Sequence, residues 1–157
     1  MAEKTPWNTA LNMLARKEYS QAELRSRLCD RFPDQAESIE AALLRLIDTG
    51  LQNDERFAEV FLRSQINRAR GPVRVRHEAH QKGVAEVVDP LLESWDIDWY
   101  QLAVDAAVRK LGQSDPADVK NQARIARFLA YRGFTGDQVR NALETVRAGV
   151  SDDASFF

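Results

Sequence analysis

The sequence predicts an all-α protein of three tandem three-helix repeats forming an elongated, curved array. Three observations carry that prediction. First, no segment holds the two-residue alternation of a half-buried strand over a useful length, whereas apolar residues recur at helical spacing along most of the chain. Second, two stretches superpose on their glycines. With Gly83 and Gly133 as origins, Val75 and Ala79 match Ile125 and Leu129 at minus eight and minus four, and Lys82 matches Arg132 at minus one. Arg74 and Arg124 coincide at minus nine, and each glycine precedes an apolar residue, a polar turn and another amphipathic run. Third, Leu24 and Leu28 repeat the pattern near the N-terminus, with Phe32 where the glycine would stand. Units recurring about every 46 to 50 residues suggest an array in which each buries its face on a neighbour.

Taken in order, Ala10, Leu11, Leu14 and Ala15 mark a first helix over Trp7 to Lys17. Ser20 is the N-cap of the second, with Glu23 completing a capping box, Leu24 and Leu28 facing inward and Pro33 ending it. Ile39, Leu43, Leu46 and Ile47 form a third, closed by Gly50, after which Leu51 folds back on the cap. Asn53 or Asp54 opens the fourth, with a core stripe of Phe57, Val60, Phe61 and Ser64, running to about Arg70. Gly71-Pro72 starts the fifth, because proline suits a first turn where its missing N–H is not needed. Lys82 stands in its last turn and Gly83 where a helix end wants a left-handed residue. The sixth, Val87 to Trp95, accommodates Pro90 in its first turn or at a bend. Asp96 or Asp98 opens the seventh, which stops at Leu111-Gly112 before a loop at Ser114-Asp115-Pro116. Ala117 to Arg132 and Gly136 to Arg147 complete the set. The expected division is an N-terminal extension over 1–8, repeats over 9–51, 53–96 and 98–147, and a flexible acidic tail over 148–157.

Composition excludes several classes. The chain has 157 residues, 44% of them hydrophobic, and no apolar run approaches the ~20 residues of a membrane span. Its start lacks a basic-then-apolar signal, so a cytoplasmic protein is the simplest expectation. Cys29 has no second cysteine with which to form an internal disulfide and reads as a structural thiol. His77 and His80 have the spacing of two metal ligands, yet no third histidine or cysteine completes a set and Arg74 and Arg76 stand beside them. Asp96 with Asp98, and Asp152 with Asp153, read as caps and tail, not as an acid–base couple. With no phosphate-binding loop and no nucleophile elbow, the expectation is a non-enzyme without metal or cofactor.

Charge is where the chain departs from the ordinary. The net charge is −2, but between Arg63 and Lys82 six cations (Arg63, Arg68, Arg70, Arg74, Arg76, Lys82) face one acid, Glu78. Lys82 and Arg132 fit as complements to the negative ends of their helices. The remaining arginines exceed that explanation, and guanidinium groups fork onto phosphates or carboxylates. The candidate docking residues are therefore Arg63, Arg68, Arg70, Arg74 and Arg76, with Arg124 and Arg127 on the matching helix. Trp95 and Trp99 read as packing residues ahead of base-stacking ones.

Several motifs together resemble one family. Asp54, Arg56-Phe57-Ala58, Phe61, Ser64, Gly71-Pro72-Val73-Arg74-Val75-Arg76 and Lys82-Gly83 are similar to the signature of the RecX regulatory proteins. Ile125, Arg127-Phe128-Leu129 and Tyr131-Arg132-Gly133-Phe134 resemble its C-terminal motif, and Ser20-Gln21-Ala22-Glu23-Leu24 with Leu28 its N-terminal one. Gln65 stands where the family often has arginine, and Ala79 where it often has leucine. The resemblance implies a negative regulator of the RecA recombinase that binds the RecA–DNA filament, blocks its extension or promotes its disassembly, and lowers ATPase, strand-exchange and coprotease activity. It further implies weak affinity for single-stranded and double-stranded DNA, and a place in recombinational repair and the SOS response. A monomer is expected. Residue chemistry alone leaves two alternatives open, a small helical DNA-binding protein and a helical scaffold unrelated to RecA.

Overall fold

The structure, a computed structural model, describes residues 4–155, with side chains for residues 4–149. Among the described residues it contains helices and no strand: α1 (Pro6–Arg16), α2 (Gln21–Arg31), α3 (Ala36–Asp48), α4 (Asp54–Asn67), α5 (Pro72–Gln81), α6 (Ala85–Ser94), α7 (Trp99–Leu111), α8 (Val119–Tyr131) and α9 (Gly136–Ser155). None is long and apolar enough to cross a membrane.

Local chemistry explains the boundaries. Thr5 caps α1 by accepting from the Asn8 N–H at 3.1 Å, with Pro6 in the first position. Ser20 and Glu23 form the expected capping box, at 3.1 and 3.2 Å. Asn53 caps α4 through the Arg56 N–H at 3.1 Å, and Asp98 caps α7 through the Gln101 N–H at 3.0 Å. Both α5 and α8 end in a Schellman turn, with Gly83 at φ +71° and Gly133 at φ +98° in the left-handed position. So does α4, but there the left-handed residue is Ala69, at φ +55°, with the Arg70 N–H reaching back to the Gln65 carbonyl at 3.1 Å.

Several expected details differ. Val60, Ile47 and Leu51 are exposed. The inward face of α4 is set by Phe57, Ala58, Phe61, Leu62 and Gln65, which leaves Val60 on the far side of the helix. After Gly50 it is Gln52, not Leu51, that turns inward, because its Nε2 donates to the Tyr19 carbonyl at 3.2 Å and to Asp54 Oδ1 at 2.8 Å. Helix α4 stops at Asn67, short of Arg70, because of the turn at Ala69. Helix α6 begins at Ala85, two residues before Val87, so Pro90 falls in its second turn. Helix α8 begins at Val119 because Asp118, accepting from the Lys120 N–H at 2.8 Å, is its cap. Helix α9 runs past Arg147 to Ser155, since Gly149 keeps an ordinary φ and does not end it. Phe156 and Phe157, the last of the expected tail, lie outside the described residues. Cys29 is exposed, so it does not pack as a structural thiol.

Two compact units emerge. The first holds the described residues up to Leu62 with Glu78–Leu91, and its core includes Ala10, Tyr19, Leu24, Leu28, Ile39 and Leu43. The second holds Arg63–His77 with the described residues from Leu92 onward, around Ala103, Ala106, Ala107, Ile125, Leu129 and Phe134.

Candidate functional site

The same joint is built once in each unit. The first four N–H groups of a helix and its last four carbonyls have no partner within it, so one helix's start can satisfy another's end. In the first unit the start of α2 meets the turn after α5. Ser20, fully buried, donates its Oγ hydrogen to the Lys82 carbonyl at 2.7 Å, and Lys82 Nζ binds Glu23 at 3.0 Å. A Cβ on Gly83 would stand 2.6 Å from that of Ala22. In the second unit the start of α5 meets the turn after α8. The Gly71 N–H donates to the Arg132 carbonyl at 2.8 Å and the Val73 N–H to the Gly133 carbonyl at 3.0 Å. Pro72, between them, has no N–H to place. A Cβ on Gly71 would collide with the Gly133 and Phe134 backbone, and one on Gly133 with Arg74.

The repeated cation-glycine pairs are therefore more than dipole complements. Lys82 reaches across to the capping-box carboxylate of α2, and Arg132 donates Nε to the Ala69 carbonyl at 3.3 Å. Arg56, which no charge argument singles out, is a third clamp. It binds Glu18 at 2.6 Å and donates to the Gly50 and Leu51 carbonyls at 3.1 and 3.0 Å. Beside it, Asp54 accepts from the Gln21 N–H at 2.9 Å. Phe57 and Phe61 are buried with their rings 6.0 Å apart.

All seven candidate docking arginines belong to the second unit. Arg68, Arg70 and Arg74 come together around Arg132, whose pKa is held below the ordinary guanidinium value first by burial and then by the like charges of Arg70, Arg74, Arg109 and Arg68. Arg70 Nη1 donates to Gln65 Oε1 at 3.4 Å, and Arg74 lies 5.7 Å from the ring of the exposed Tyr131. The other four are not among the charges acting on Arg132. Arg63 sits 5.6 Å from the Trp95 ring, Arg76 and Arg127 are exposed, and Arg124 is half-buried. Sequence reasoning missed Arg109 and Lys110 on α7. Their only local signal is a pair of cations in a last helical turn, and the fold alone carries that turn to the end of α4. Together with Arg68 and Arg132 they line a cleft of about 360 Å³.

His77 and His80 are exposed, and among the described residues no three His, Cys, Asp or Glu side chains gather to hold a metal. What the arrangement can do is bind anions, with a face of forked donors on a helical support.

Along most of its length the chain is similar to known proteins. Three family models match in order: the first RecX three-helix domain over residues 7–46, the second over 53–88 and the third over 96–143. A regulatory protein RecX from Halorhodospira halophila is 43% identical over 136 residues, covering 86% of this chain and 84% of that one. One from Chromohalobacter salexigens is 42% identical over 144 residues, covering 90% and 92%. The crystal structure of RecX from Lactobacillus salivarius is similar in fold, with a TM-score of 0.71 at 23% identity over 89% of this chain and 93% of that one.

Proposed function

The chain belongs to the RecX family of regulatory proteins, and from that premise we propose that it is a negative regulator of the RecA recombinase. It binds the RecA–DNA filament and blocks its extension or promotes its disassembly, so that ATP hydrolysis, strand exchange and coprotease activity fall. The observation that supports this reading most is the gathering of Arg68, Arg70, Arg74, Arg109 and Arg132 in one compact unit, a positive field toward which an anionic partner is drawn. Arg63, Arg76, Arg124 and Arg127 are further docking candidates within the same unit. The repeats, expected over 9–51, 53–96 and 98–147, give one chain several weak contacts with successive recombinase subunits, which reinforce one another through effective concentration. DNA contributes phosphate contacts that are weak alone and fall with salt. The protein acts in the cytoplasm as a monomer.

The test is RecA's DNA-stimulated ATP hydrolysis followed over time, with this protein well below stoichiometric amounts and single-stranded DNA in excess. Progressive loss of hydrolysis is the expected result. Loss that begins only when the DNA is nearly saturated refutes filament regulation and leaves a DNA-binding helical protein.

A further inference from the structure

We infer that the cleft between the end of α4 and the facing sides of α7 and α8 is a seat for a phosphate group, held by Arg68, Arg109, Lys110 and Arg132. Three guanidiniums and one ammonium line a single recess of about 360 Å³, and among the described residues its lining holds no carboxylate. The nearest acid on α7, Asp105, accepts from Gln101 Nε2 at 2.9 Å. Contacts within the protein position part of the lining. Lys110 and Arg132 lie 5.0 and 5.9 Å from the centre of the Phe128 ring, and Arg132 Nε is held on the Ala69 carbonyl, which leaves its terminal nitrogens to be aimed. Ala69 itself takes the left-handed conformation, unusual for a residue with a Cβ, which places its carbonyl at Arg132 and Arg68 at the rim.

Phosphate fits this donor set better than a carboxylate surface does. Its tetrahedral oxygens accept from several forked donors at once, from different directions, within a concave site. Two sources share that chemistry: a free pyrophosphate or nucleotide tail, and the diester backbone of a nucleic acid. Arg132, partly buried, feels the like charges of Arg109 and Arg68 from the same lining, which agrees with a seat completed by an anion.

The proposal deepens the docking-face reading by naming the chemistry of one of its parts. Its test contains no recombinase, so the two can fail separately. The full chain is titrated with inorganic pyrophosphate in one arm and a thymidine oligonucleotide in the other, followed by amide chemical shifts. The comparison is between wild type, an Arg109→Gln/Lys110→Gln double variant and a charge-matched Lys120→Gln/Arg147→Gln control whose exposed positions lie off the cleft. Circular dichroism confirms that each folds. Saturable binding that the cleft variant weakens by about tenfold or more, and the control by less than about twofold, is expected. Binding in the first arm identifies a free phosphate site, and binding in the second arm alone identifies the nucleic-acid backbone as the source. Equal weakening by both variants, or saturation in neither arm, overturns the proposal and leaves this face to an acidic protein surface.

Discussion

Replacing Gly71 by alanine tests the joint of the second unit with one methyl group. The residue's φ is ordinary, so alanine brings no backbone strain there, and the whole effect comes from contact. The added Cβ meets main-chain atoms of Gly133 and Phe134, which cannot rotate away as a flexible side chain can. The start of α5 must withdraw, and the bonds from the Gly71 and Val73 N–H groups, at 2.8 and 3.0 Å, lengthen or break. Each such bond contributes about 0.5 to 1.5 kcal/mol net, and a buried group left unpaired costs about 1 to 3. Gly71 is buried and Val73 exposed, so the first N–H carries the larger of these costs and the second the smaller, and the sum is a loss of about 2 to 4 kcal/mol, or roughly 5 to 15 °C in Tm for a chain of this size. Gly136→Ala is the control, since a Cβ there meets nothing within 4 Å, and its Tm should stay within a few degrees of wild type. Thermal melting read by circular dichroism gives the magnitude, and hydrogen exchange at the Val73 amide gives the place. If Gly71→Ala melts with the Gly136→Ala control and the Val73 amide stays protected, the close approach of backbone to backbone does not hold this unit together.

Three further outcomes follow from other contacts. Ser20→Ala removes a hydroxyl that accepts from the Glu23 N–H and donates to the Lys82 carbonyl, so a loss of about 1 to 3 kcal/mol is expected in urea titration. Ala69→Gly relieves a left-handed alanine and should raise stability by up to about 1 kcal/mol after the buried methyl is discounted; a clear loss in the same titration would show that the methyl's packing dominates. The Glu40 carboxylate, bonded to Arg25 at 2.7 Å, has its pKa held below the ordinary value by that guanidinium. Because the folded value is the depressed one, the pair's contribution is present above the unfolded carboxylate pKa and disappears as pH falls through the folded one. Arg25→Ala should move the Glu40 titration upward by carbon-detected NMR, and an unmoved titration would show that the pair does not form in solution.

Much of the helical order was legible without tertiary information, because caps and stops act within about six residues. Ser20 with Glu23, Asn53, Asp98, Gly83 and Gly133 each sit beside the groups that they satisfy, so their types and spacing announce them. The three-fold recurrence was legible for the same reason, as a pattern repeated along the chain. The inward face of a helix was less so. Val60 and Ile47 follow helical spacing as well as their buried neighbours do, Leu51 stands where a helix cap takes an apolar partner, and only the position of the facing elements exposes them. The roles of Lys82 and Arg132 needed the fold outright. Lys82 and Glu23 are 59 positions apart, Arg132 and Ala69 are 63 apart, and nothing local distinguishes a cation at a helix end from one that also clamps a distant turn. Arg109 and Lys110 show the limit most plainly. Residue type alone sets the number of positive charges, but electrostatic repulsion and binding depend on distance, and only the folded backbone brings that helix end to Arg68 and Arg132.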